Sequence, residues 1–142
     1  MEMLIVIAVI AVLSTMILRG VGGALPKSRD ARRMGDLRNV QSSLEVYYNK
    51  TGTYPNITAT NPTGWQTLES TISGVLGSSF KLPRDPSGGT NTYYYCPGAA
   101  SPSGAINSYI LGAQLEVTSS TEGLSGGTCG KTCGGQFYCV GM

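Results

Sequence analysis

The sequence predicts an α+β fold: a long N-terminal helix, hydrophobic and then amphipathic, packed on a small antiparallel β-sheet head. Three observations carry this prediction. Residues 3–18 form an apolar run without a charge. Residues 27–50 place apolar side chains at steps of three and four, the period of a helix with one buried face. The C-terminal half then holds short tyrosine-rich or alternating runs, separated by Gly, Ser, Thr and Pro, which is the pattern of strands and turns. The chain has 142 residues, enough for one modest domain and an appended segment. It divides into a hydrophobic helix with a Gly/Pro break over 1–26, an amphipathic helix over 27–54 and a loop-and-sheet head over 55–142.

A helix over residues 2–18 would be hydrophobic all round, so lipid or other protein must cover it. It is slightly shorter than the ~20 residues that span a bilayer, within the range of a tilted span. A secretory signal peptide would begin with basic residues, whereas this chain begins Met1-Glu2. Gly20, Gly22, Gly23 and Pro26 follow closely. Each glycine costs a helix about 1 kcal/mol relative to alanine, and a proline about 3. A helix end, a kink or a stretch that melts on assembly is expected there.

The second helical pattern is built on Ala31, Met34, Leu37, Val40, Leu44, Tyr47 and Tyr48, with Arg29, Arg32, Arg33, Asp36 and Glu45 mostly elsewhere. Lys50 and Gly52 form a C-terminal stop, and Tyr54-Pro55 forces an extended exit. A short helix is expected over 65–76, a turn over 82–89, and strands over 92–96, 108–117 and 136–140.

Net charge is +2, too small for a strong global field. The basic residues concentrate in the amphipathic helix, where they would meet lipid headgroups or acids on a neighbouring subunit. There is no histidine, so the usual proton shuttle and His-containing zinc sites are excluded. Cys96, Cys129, Cys133 and Cys139 all lie in the head and are read as disulfide candidates in an oxidising compartment. Four cysteines allow three pairings, and sequence does not choose among them. A four-thiolate zinc site is the disfavoured alternative. Gly130-Lys131-Thr132 resembles the tail of a phosphate loop, but the glycine needed five residues earlier is Ser125. Asp85 alone is not a calcium site, because that ion takes 6–8 oxygen ligands. No cofactor, metal site or catalytic constellation is expected, and the chain is read as a non-enzyme.

Glu2 with the following apolar run to Leu13 is similar to the N-terminal segment of type IV pilins and type II secretion pseudopilins. Residues 29–55 resemble that family's helix and exit loop. Leu82-Pro83-Arg84-Asp85-Pro86, Tyr93-Tyr94-Tyr95-Cys96 and residues 108–116 resemble loop and strands of its head. The family's basic leader, the glycine before its cleavage point and its first mature phenylalanine are not seen, so the chain is expected to start a few residues into the family pattern. The resemblance implies a pilin fold and a subunit that polymerises into a type IV pilus for adhesion, motility or DNA uptake. It implies that Glu2 pairs with a neighbouring subunit's N-terminal amine. The implied partners are other copies of the chain, the inner membrane before assembly, an assembly platform and ATPase, a prepilin peptidase, and a host surface or DNA. The implied location is the bacterial inner membrane and then a surface filament. The alternatives are a pseudopilin of a short periplasmic pseudopilus, or a membrane-anchored, disulfide-stabilised binding domain that never polymerises.

Overall fold

A computed structural model describes residues 2–21, 24–88, 93–117 and 136–141. They form an α+β arrangement of three helices and one three-stranded sheet. The helices are α1 (Glu2–Val21), α2 (Ala24–Thr51) and α3 (Pro62–Leu76). The strands are β1 (Tyr93–Pro97), β2 (Tyr109–Gln114) and β3 (Phe137–Gly141).

Helix α2 buries one stripe: Asp30, Arg33, Leu37, Val40, Leu44 and Tyr47. The steps alternate between three and four, so the six side chains lie on one face. This corrects the sequence reading at the N-terminal end of the helix. Ala31 is exposed and Met34 only half-buried, while Arg33, assigned to the polar side, is buried. Helix α2 also starts earlier than expected. Pro26 lies within its first turn, where a missing N–H costs little. The helix ends at Thr51 and is followed by Gly52, whose φ of 73° suits a residue without a Cβ.

Helix α3 begins three residues before the expected start because its cap lies upstream. The Asn61 side chain accepts a hydrogen bond from the Gly64 N–H at 2.7 Å, and Pro62 occupies the first turn. Its apolar face is Trp65, Leu68 and Ile72.

The sheet is antiparallel in the order β1-β2-β3, with Tyr95 opposite Leu111 and Leu111 opposite Val140. Tyr93, Tyr95, Tyr109, Leu111 and Ala113 face the α2 stripe and α3 in a single core. Tyr138 and Val140 pack on its margin. The segment before α3 adds a rung to the free edge of β1, where Ala59 and Tyr95 exchange two backbone hydrogen bonds of 2.9 Å. The opposite face of the sheet is also covered at its centre. Tyr94, Cys96, Gly112 and Cys139 are all buried there. A Cβ on Gly112 would meet Cys139 Sγ at 3.7 Å and the Tyr94 ring at 3.8 Å.

Helix α1 differs from the rest. Its large apolar side chains between residues 3 and 13 are all more than half exposed, from Met3 at 81% to Val9 at 52%. Among the described residues, no helix is long and apolar enough to cross a membrane.

Candidate functional site: the apolar helix and its charged anchor

In α1 the residues Leu4, Ala8 and Val12 form one row at i, i+4 spacing, and Ile5, Val9 and Leu13 form the next. The six line a shallow, almost wholly apolar groove with Ala8 among its walls. Rows at i, i+4 are the ridges that interdigitate when helices pack against one another. An isolated apolar side chain on a surface needs no explanation, but a contiguous apolar segment marks an interaction site.

Glu2 is the first residue of α1, and Gly20 lies within that helix. Of the proposed melting region, Gly22 and Gly23 lie outside the described residues, and Pro26 sits in the first turn of α2. Cys96 and Cys139 are buried and disulfide-bonded, while Cys129, Cys133 and the Gly130-Lys131-Thr132 motif lie outside the described residues.

The head end of α2 is fixed by a cluster that sequence reasoning missed. The Arg33 guanidinium is 2% exposed. It forks onto Asp85, with Nε to Oδ2 at 2.9 Å and Nη2 to Oδ1 at 3.1 Å. Its Nη1 donates to Asp30 Oδ1 at 2.6 Å, and its Nη2 lies 2.8 Å from Glu116 Oε1. Asp30 in turn accepts from the backbone N–H groups of Glu116 and Val117, each at 2.9 Å. Arg29 Nε donates to Glu116 at 2.7 Å. The Asp85 contacts, the largest cause, push the Arg33 pKa further up and burial opposes them, so the group stays cationic. The Arg29 hydrogen bond, followed by that of Arg33, lowers the Glu116 carboxyl to about 2 against opposing desolvation. The basic residues expected to reach other subunits therefore include three that are bound to acids of their own chain: Arg29 and Arg33 in this cluster, and Arg32, which pairs with Asp36 at 4.0 Å. The missed signal was phase: Asp30 and Arg33 continue the apolar stripe of α2 backwards by steps of four and three.

A second carboxylate organises the other end of α2. Glu45 accepts from the Tyr54 and Tyr109 hydroxyls, each at 3.0 Å. Burial first, and then Glu45, pushes the Tyr54 phenol up to about 12 and raises that of Tyr109 as well. The Tyr48 and Tyr54 rings stack, and Tyr109 meets Tyr54 edge-on, with centroids 4.6 Å apart in both pairs. Tyr93 donates to Asp36 at 2.6 Å, and Tyr95 donates to the Pro55 carbonyl at 2.7 Å. Tyr54, Tyr93, Tyr95 and Tyr109 thus behave as core residues with satisfied hydroxyls. Among the described residues, no group of three or more acidic, Cys or His side chains is placed to hold a metal.

No protein-family model, curated protein or solved structure matches the chain.

Proposed function

We propose that the chain is a structural subunit, not an enzyme, that self-associates through α1 into a helical filament of the type IV pilus kind. The observation that carries the reading is the exposed apolar α1 joined to a head in which, among the described residues, no buried polar side-chain atom lacks a partner. Among the described residues the head has no unpaired buried polar side-chain atom for α1 to satisfy, and α1 needs cover. Burying a Leu, Ile or Val side chain is worth about 1.5–3 kcal/mol. With nine large apolar side chains exposed between Met3 and Leu13, the gross driving force is on the order of 10 kcal/mol or more per subunit.

In this proposal α1 helices bundle in the filament core and heads form the outer wall. Glu2 pairs with the N-terminal amine of a neighbour and sets axial register, since a buried lone carboxylate must be paired. Gly20, Gly22, Gly23 and Pro26 allow the helix to loosen where subunits pack. Before assembly the subunit resides at the bacterial inner membrane. A prepilin peptidase, an assembly platform and an ATPase deliver it to the surface filament. Adhesion, motility and DNA uptake are the roles such a fibre serves.

Electron microscopy of material sheared from producing cells tests the reading. Long thin fibres containing this chain support it. A short periplasmic pseudopilus, or an anchored monomer, replaces it if no fibres form. The Glu2→Leu variant should reach the membrane fraction normally yet yield few or no fibres. Wild-type fibre yield from that variant would remove Glu2 from the assembly mechanism.

A further inference from the structure

Cys96 and Cys139 are both disulfide-bonded, and each is about 95% buried. They sit on β1 and β3, the two strands that flank β2. Cys96 is opposite Ile110 and Cys139 is opposite Gly112, so they are offset by two residues along the central strand. Adjacent strands lie about 4.8 Å apart and each residue rises about 3.4 Å, so the two Cα atoms are separated by roughly 12 Å. A disulfide joins Cα atoms about 4.4–6.8 Å apart. The body of β2 therefore stands between the two sulfurs, with Gly112 directly beside Cys139.

We infer that Cys96 and Cys139 are not bonded to each other, and that each is bridged to one of Cys129 and Cys133. The chain contains four cysteines, so excluding one pairing leaves two. In both of these, one bridge leaves each flanking strand, from Cys96 on β1 and from Cys139 on β3. The Cys129–Cys133 pair, the closest in sequence, is excluded by the same count. Each bridge replaces two S–H bonds with one S–S bond. The two electrons and two protons pass by thiol–disulfide exchange to a disulfide oxidant, which becomes a dithiol.

Peptide mapping of the full chain without reduction tests this. Free thiols are first blocked by alkylation, and the protein is then cut with trypsin and chymotrypsin. Cleavage after Tyr95, Leu115, Lys131 and Tyr138 places the four cysteines on four peptides. The Cys96 peptide joined to that of Cys129 or Cys133, with the Cys139 peptide joined to the other, is the expected result. A Cys96–Cys139 or Cys129–Cys133 linked pair would overturn the inference. So would an alkylated Cys96 or Cys139, or a link between two copies of the chain seen as a dimer on a non-reducing gel.

Discussion

Arg33 is withdrawn from water and meets carboxylates from three parts of the chain: Asp30 in α2, Asp85 before β1 and Glu116 after β2. Removing one partner of a buried ion pair leaves the others uncompensated and costs about 3–5 kcal/mol. Arg33→Met should therefore lower unfolding stability by that amount in denaturant titration. Arg33→Lys should also be clearly destabilising, because an ammonium cannot fork onto Asp85 while reaching Asp30. A loss below about 1 kcal/mol for Arg33→Met would mean that the apolar core alone fixes the end of α2. Glu116 gives the cluster a pH signature. Its folded pKa of about 2 lies below its ordinary 4.5. Its contribution is therefore complete above about pH 4.5 and is lost as pH falls towards 2. Thermal unfolding of wild type and Glu116→Gln should differ at neutral pH and converge in that acid window. A constant difference across it would remove Glu116 as the titrating group. This part of the molecule was half legible in the sequence. Asp30 and Arg33 were in phase with the buried stripe, but a charge in a periodic pattern is ordinarily read as solvated. Their partners Asp85 and Glu116 lie 52 and 86 residues away along the chain from Arg33 and Asp30, a pairing that only the fold creates.

At the scale of elements, local chemistry explains where sequence reading succeeded and where it drifted. Leu37, Val40, Leu44 and Tyr47 form a strict helical stripe and are all buried as expected. The three strands lie within two or three residues of their expected positions because tyrosine-rich and alternating runs mark them clearly. Helix α3 starts earlier than its apolar residues suggest, because a cap is set by polar chemistry outside the hydrophobic period. That cap has its own test at Gly64. A Cβ there would fall 2.9 Å from Ala59 Cα and 3.1 Å from the Thr58 carbonyl oxygen, both backbone atoms. The same turn holds Ala59 in its rung with Tyr95, so the clash cannot be relieved without disturbing β1. Gly64→Ala should cost about 1–3 kcal/mol, the range for overpacked sites. Gly74→Ala, in the same helix with open space around its Cβ position, should be neutral or stabilising. Equal effects of the two substitutions on melting temperature would refute the steric account.

At the scale of the whole molecule, the contrast between a satisfied head and an exposed α1 allows self-assembly to be separated from simple lipid affinity. A charge placed in α1 would weaken both, so it discriminates poorly. Ala8 offers a better handle. It is the small residue in the groove lined by Leu4, Ile5, Val9, Val12 and Leu13. Ala8→Leu adds apolar atoms worth about 0.8 kcal/mol for each methylene-sized group transferred from water, which favours lipid. The same atoms fill the groove that a neighbouring ridge would enter, and overpacking of a close contact costs about 1–3 kcal/mol. In a filament that cost recurs at every subunit. Ala8→Leu should therefore bind vesicles at least as well as wild type in flotation assays, yet form fewer or shorter fibres by electron microscopy. The head should melt at the wild-type temperature, because Ala8 is exposed and lies outside its core. Unchanged fibre yield with tighter vesicle binding would show that α1 serves as a lipid anchor and that subunit contacts, where they form, lie elsewhere.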